Sequence, residues 1–309
     1  MDTRQTFGRQ LKKQLPLHVF VWAGLLFLLL FSIIPMMGVV IAFKSYNIKT
    51  GFWGMFTAPW VGFKHFIAFV NDRKFNELMV NTVGLAALKL VASFPLPILF
   101  AVMIMEMRGR VYKRLVQTAS YLPHFISWTI VAGILHAFFS TSTGMLNDVL
   151  LRWGLIKEPL PILISAEHYY GLAIISEIWK GLGWNAIIYL AAMSSIDPAL
   201  YESAQIDGAG RLRRIRHITL PCIKGTIAVL LILAMGGLFS GNFDQAMLLG
   251  NTLNVSRSQV IEVYVYRAGL TQERYDYAAA AGLFQSVISL ALVIFANAAS
   301  RKLTGASLF

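Results

Sequence analysis

The chain has 309 residues, 57% of them hydrophobic and only 14% charged, with a net charge of +12 and a mean hydropathy of +0.62. That balance is too apolar for an ordinary soluble domain and indicates an integral membrane protein. The single cysteine, Cys222, excludes an internal disulfide, and no Cys/His cluster suggests a metal site.

A bilayer core of about 30 Å needs about 20 mostly apolar helical residues. Six windows reach that length: 19–43, 78–105, 115–140, 169–196, 223–249 and 277–299. None alternates like an outer-membrane barrel strand, so the expected fold is all-α, a polytopic bundle of six transmembrane helices. Residues 1–18 form a separate N-terminal segment and 19–309 the transmembrane domain. Lys12 and Lys13 precede the first window as in a signal peptide. Its apolar run is too long for one, however, and no small-x-small site closes it, so it reads as an anchor.

Prolines 35, 95, 97 and 123 fall in or beside these windows and are expected to kink them, which commonly bends helices around a cavity. Arg108, Arg110, Lys113 and Arg114 crowd one short loop, and Arg211, Arg213, Arg214 and Arg216 another. The positive-inside tendency puts both loops and both termini in the cytoplasm. Topology then explains most of the positive charge, and no nucleic-acid partner is implied. Trp53, Phe56 and Trp60, in the first outer loop, read as an interfacial belt rather than a docking surface.

Ionisable groups inside an apolar window are costly unless paired or facing water. Lys89, Glu177 and Lys180 are such groups, whereas Asp244 is near enough to a span end to reach the interface. Glu177 and Lys180 are three residues apart on one helix face, which leaves two readings: an internal ion pair, or a place on a translocation path. Glu177, Lys180 and Trp184 make one stripe, with Asn185 and Tyr189 nearby. That stripe is either a path lining or a packing seam, and Gln285 in the last window has the same ambiguity.

Residues 197–222 interrupt the apolar pattern. Asp197-Pro198 is a helix start, a capping carboxylate followed by proline at the first helical position. The helix runs through Tyr201, Glu202 and Ala204 and breaks at Asp207-Gly208-Ala209-Gly210. A second helix, 211–219, carries Leu212, Ile215 and Thr219 on one face; Pro221 is expected to stop it and begin the fifth span. The result is a helix-turn-helix on the cytoplasmic face, rigidly continuous with the spans on either side. It could be an ordinary basic loop resting on anionic headgroups. That reading leaves its punctuation unexplained: Glu202, Ser203, Ala204, then Gly208, then Ile218, Leu220 and Pro221.

This spacing resembles the EAA motif of ABC importer permeases, with Ser203 in place of the second small residue. The stretches 60–82, 94–128, 178–210 and 275–309 are similar to sugar-type permeases of the LplB-like subgroup, within the MetI-like, binding-protein-dependent transport family. The resemblance implies uptake of an oligosaccharide or polysaccharide fragment, alginate among them, through the bacterial inner membrane. In such a system 197–222 is the element that couples to an ATPase, through Glu202, Ser203, Ala204, Asp207, Gly208, Ile218, Leu220 and Pro221. The implied partners are a second homologous permease in a heterodimer, two ATP-binding-cassette subunits, an extracytoplasmic solute-binding protein, the lipid bilayer and the saccharide.

On that reading Trp184 can stack on a sugar ring and Asn185 can donate and accept hydrogen bonds, so Glu177, Lys180, Trp184, Asn185, Tyr189 and Gln285 become substrate-path candidates. The lysine of "IWK" is typical of the subgroup and by itself selects no anion. No G-x-x-x-x-G-K-[ST] phosphate loop, H-E-x-x-H or G-x-S-x-G occurs. The chain is therefore expected to have no catalytic residues and no cofactor of its own, with ATP and Mg bound by the ATPase subunits. An ion-coupled secondary transporter is the alternative, but it has no use for a docking segment. A membrane-embedded enzyme would need a constellation that is not found.

Overall fold

The computed structural model describes residues 3–239 and 243–304, so residues 1–2 and 305–309 of the expected terminal segments and 240–242 of the expected fifth span lie outside the described residues. What is described is almost entirely helical; pairing of the β type is limited to an isolated bridge between Lys44 and Trp60. The principal helices are α1 (Thr3–Leu28), α2 (Phe75–Ser93), α3 (Pro95–Glu106), α4 (Arg110–Tyr121), α5 (Trp128–Phe139), α6 (Ala166–Ser194), α7 (Pro198–Ile206), α8 (Arg211–Arg214), α9 (Lys224–Gly236), α10 (Phe243–Leu249) and α11 (Tyr275–Thr304). The chain divides into two compact units, one of residues 1–71 and 267–283, the other of 72–266 and 284–309.

Three described stretches are long and apolar enough to cross a membrane: Leu17–Phe43, Phe75–Glu106 and Tyr275–Lys302. The number becomes five if each of two bent pairs counts as one span. The expected third window is one of these pairs. Instead of one continuous helix, 110–125 and 128–139 meet at 102°, because Pro123 sits in a tight 3-10 turn and Ser127 starts α5 afresh by accepting from the Ile130 amide. The fifth window is also divided. Its first helix, α9, has 13 residues, and the described chain resumes with the seven-residue α10. The fourth window is a single helix, the 29-residue α6, about 44 Å long at 1.5 Å per residue.

Two prolines act on the backbone in the same way. Pro35 and Pro221 are each preceded by a five-residue π turn, Leu29–Ile33 and Ile215–Thr219. In both, the amide just before the proline donates to the carbonyl five residues back, Ile34 to Leu29 and Leu220 to Ile215. A proline lacks the N–H and crowds the carbonyl four residues earlier, so widening the preceding turn keeps the helix intact. Pro221 therefore does not stop the helix, contrary to expectation. It continues to Cys222, and the 62° bend before α9 comes at Ile223.

In the first unit, nearly every side chain described between Leu17 and Val40 is exposed. An apolar helix with no polar side belongs in lipid. After it, Phe43 gathers Trp60 (stacked, 5.7 Å), Phe63 and Phe66. Trp53 and Trp60 remain largely exposed. His65 reaches the Lys44 carbonyl at 3.1 Å and the Asp276 carboxylate at 3.4 Å.

The second unit is organised along α6. Its N-terminal half packs Tyr169, Leu172 and Ala173 against Leu85 of α2, Ala132 of α5, Ala246 and Leu249 of α10, and Val260 and Val263. Its C-terminal half packs Ala186, Tyr189, Leu190 and Met193 against Ala101 and Ile104 of α3 and Ile223. Between the two clusters the helix comes close to α4: a Cβ placed on Gly183 would lie 2.2 Å from the Ser120 carbonyl oxygen. Only glycine allows that approach.

Candidate functional site

The polar stretch of α6 lies between its two apolar clusters and faces a cavity of about 400 Å³. The wall includes Lys89, Ser93, Phe94, Pro97, Glu177, Trp184, Asn185 and Tyr189, together with Leu230, Ala234 and Leu238. Four of the six expected path residues therefore share one cavity: Glu177, Trp184, Asn185 and Tyr189. Lys180 and Gln285 are not among its lining residues. The Lys180 Nζ donates to the His124 carbonyl at 2.7 Å and stands over the Trp128 ring at 5.8 Å. The Gln285 amide donates to the Phe239 carbonyl at 2.6 Å.

Of the two readings of Glu177 and Lys180, the ion pair within α6 does not form; the partner of Glu177 is Lys89, across the helix interface on α2, at 3.4 Å. Lys180 is instead held by a carbonyl of the 122–125 turn, which the 102° bend brings within reach. Lys89 is buried, and its Nζ also donates to Gln245 Oε1 at 2.5 Å. The Gln245 amide in turn donates to the Ala173 carbonyl at 2.8 Å and the Ser176 hydroxyl at 2.9 Å. One charge thus joins α2, α6 and α10, and each buried polar group in the chain of contacts has a partner. The Glu177 side chain is 33% exposed, so it keeps an acceptor surface toward the cavity. Ser93 Oγ, one turn from Lys89, is buried without a partner among the described residues.

Lys89, Ser93, Gln245 and His124 were not among the expected path residues. Lys89 alone had a signal in the sequence, a charge in the middle of an apolar window. The His124 imidazole lies flat against the Trp184 indole, centroids 4.4 Å apart and planes at 1°, and Phe125 meets the same indole edge-on at 5.5 Å. One face of Trp184 is therefore already covered by protein.

The 197–222 segment has the two-helix form expected of it, with three differences of detail. Asp197 Oδ1 accepts from the Ala199 amide at 2.9 Å and Pro198 opens α7. The Asp207 amide donates to the Ser203 carbonyl at 3.0 Å and the Ala209 amide to the Ala204 carbonyl at 2.8 Å, closing the turn around Gly208, whose φ is +74°. A Cβ there would meet nothing within 4 Å, so the demand for glycine is conformational rather than steric. The first difference is that the segment is not continuous with its neighbours: a turn at 195–197 separates it from α6, and the bend at Ile223 from α9. The second is that Leu212 does not share a packed face with Ile215 and Thr219. Leu212 is 78% exposed, while Thr219 is buried and within 2.9 Å of the Tyr201 hydroxyl. The third is the continuation through Pro221 described above. Glu202, Ser203 and Asp207 are exposed, Ala204, Ile218 and Leu220 half-buried. Arg211 pairs with Glu106 of α3 at 3.8 Å.

Protein LplB of Bacillus subtilis (strain 168) is 42% identical over 299 residues, which is 97% of this chain and 92% of the relative. The polygalacturonan/rhamnogalacturonan transport system permease protein YteP of the same organism is 41% identical over 301 residues, 97% and 92%. Among solved structures, a chain of a bacterial ABC transporter involved in the import of the acidic polysaccharide alginate superposes with a TM-score of 0.87 at 41% identity, covering 97% of this chain and 99% of that one. A chain of the bacterial alginate ABC transporter in complex with an alginate pentasaccharide-bound periplasmic protein gives 0.87 at 40%. The family model for the binding-protein-dependent transport system inner membrane component matches residues 93–305. With most of its length matched by that model, and relatives above 40% identity aligned nearly end to end, the chain belongs to the family of binding-protein-dependent transport system inner membrane components.

Proposed function

We propose that this permease carries an oligosaccharide or polysaccharide fragment, handed over by a solute-binding protein, and is driven by separate ATPase subunits that bind ATP and Mg. Six spans with both termini in the cytoplasm, and residues 19–309 acting as the permease domain, belong to the same proposal. A second homologous permease completes the pathway in a heterodimer. The observation that carries the reading is the juxtaposition, in one 400 Å³ cavity, of the Glu177 carboxylate, the Asn185 amide and the Trp184 and Tyr189 rings. Acceptors and amides beside an aromatic face suit a ring that presents hydroxyls on its edge and C–H groups on its faces. The relatives named for polygalacturonan/rhamnogalacturonan and alginate support the same ligand class.

Glu202, Ser203, Ala204, Asp207, Gly208, Ile218, Leu220 and Pro221 would form the element that couples to the ATPase. The paired ATPases closing on ATP would move it and rock the helices between inward-open and outward-open arrangements, ATP acting through its differential affinity for the two. Lys180 and Gln285, each engaged with a carbonyl, would shape the path without touching the saccharide. The test is to purify the tagged chain with its companions and measure which saccharide-loaded binding protein stimulates ATP hydrolysis. Uptake that proceeds with a proton gradient alone, no nucleotide-hydrolysing companion being present, overturns the proposal.

A further inference from the structure

Among the described residues, the wall of the α6 cavity carries two charged groups, Lys89 and Glu177, and they are not equally open to a ligand. The Lys89 ammonium is buried and engaged on several sides. It donates to Gln245 Oε1 at 2.5 Å and to Glu177 Oε2 at 3.4 Å, and the Glu262 carboxylate acts on it as a further counter-charge. Two carboxylates thus surround one ammonium. The Glu177 side chain, by contrast, is one-third exposed, and its Oε1 accepts no hydrogen bond from the described residues. Beside it in the wall, the Asn185 amide is exposed, and Ser93 Oγ is buried without a partner among those residues. No arginine is in the described lining, and Lys180 is turned to the His124 carbonyl. The cavity therefore offers a ligand a carboxylate, an amide and a hydroxyl, but no available cation.

We infer that Glu177 makes this chain's part of the path selective for an uncharged saccharide ring. Its carboxylate accepts from ring hydroxyls, Asn185 and Ser93 serve neighbouring hydroxyls, and a ring whose own carboxylate comes beside Glu177 is turned away. The inference rests on the saccharide path proposed above and narrows its ligand. A hydroxyl donates to a carboxylate in a charge-assisted bond. An ionised uronate group has no proton to give, and like charges brought together in a partly desolvated wall repel strongly. The opposite assignment, Lys89 as the receptor of a uronate, would strip the ammonium of the counter-charges that make its burial tolerable. Lys89 is instead a positioning residue that holds Glu177 in the wall. The selectivity differs from the acidic polysaccharide for which the alginate importer is named, because it follows from which of the two charges this chain leaves exposed.

The test uses the complete transporter in lipid nanodiscs without its binding protein, so that the membrane path alone selects. Fluorescence of Trp184, taken as the difference from W184F, is titrated with tetragalacturonate and with an alginate tetrasaccharide. Each is compared with its fully methyl-esterified form, which keeps the rings and loses the charge. In the wild type the esters are expected to half-saturate at about tenfold lower concentration than the acids. E177Q should bring that ratio close to one, and E177D should retain it. K89M, which removes the ammonium and keeps the carboxylate, should retain or enlarge it. K89M/E177Q repeats the E177Q comparison without an uncompensated buried ammonium, should the single variant fail to fold. Acids that bind the wild type as tightly as their esters overturn the inference. So does a preference that survives the loss of Glu177, or one that vanishes in K89M. A cavity that responds to neither form of either saccharide defeats the saccharide path itself, and the inference with it.

Discussion

The Lys89 ammonium on α2 and the Glu177 carboxylate on α6 stand 3.4 Å apart in the wall of the cavity, the lysine buried and the glutamate one-third exposed. This asymmetry makes the two ends of the pair unequal. Removing Glu177 leaves a buried ammonium with its compensation reduced, whereas removing Lys89 leaves a carboxylate that the cavity can still hydrate. E177Q is therefore expected to cost roughly 3 kcal/mol, the lower part of the range for breaking a buried pair. K89M should cost less, and K89M/E177Q should resemble K89M alone. Thermal unfolding of the four proteins in detergent, analysed as a double-mutant cycle, checks this. Equal costs for the two single changes would contradict it.

Gly183→Ala puts a methyl group 2.2 Å from a backbone carbonyl oxygen of residue 120. Backbone cannot rotate away like a side chain, so α4 and α6 must separate. The expected loss is about 1–3 kcal/mol, read as a lower midpoint in thermal unfolding. Gly181→Ala is the control, since its added Cβ would meet only the Asn185 side chain at 3.1 Å; its cost should be smaller.

Gly208→Ala meets no neighbour, yet holds a side chain at φ +74°. The penalty is about 1 kcal/mol of backbone strain, too little to unfold the permease. Because the strain falls on the turn between the two helices of the segment, stimulation of ATP hydrolysis should drop more than stability does. A variant with normal stimulation and a lowered unfolding midpoint would reverse that order.

Trp184→Ala removes one wall of the cavity and the stacking partner of His124. Trp184→Phe keeps an aromatic face. Saccharide uptake is expected to fall by about tenfold in the alanine variant and to recover in large part with phenylalanine, on the usual worth of 0.5–1.5 kcal/mol for an aromatic contact beyond its buried area. Uptake of radiolabelled saccharide into proteoliposomes decides it. Equal loss in both variants would point to packing rather than to a face for the ligand.

Thr219→Val deletes the hydroxyl that meets Tyr201 at 2.9 Å, a hydrogen bond between the first and second helices of the segment. The side chain volume is kept, so the expected cost is about 1 kcal/mol, that of one hydrogen bond whose half-buried Tyr201 hydroxyl loses its partner. A protease-sensitivity assay of the 197–222 segment should show faster cleavage, and Tyr201→Phe should give the same rate.

What could be read from the residues alone was whatever depends on neighbours in the chain. Apolar length marked the three stretches Leu17–Phe43, Phe75–Glu106 and Tyr275–Lys302, Asp197-Pro198 marked the start of α7, and Gly208 marked a turn that only a left-handed residue closes. These are local requirements, met or missed within a few residues. The same locality misled at Pro221, where a π turn upstream absorbs the missing N–H, and at Glu177, where the charge three residues away is drawn off by a carbonyl in the 122–125 turn. The partner Glu177 does have is 88 positions distant, and the glutamine that steadies Lys89 is 156 from it. No spacing rule reaches that far. Which charges meet is decided only when α2, α6 and α10 pack together, because a buried ion takes whichever counter-charge and hydrogen-bond partners the packing brings within about 3 Å.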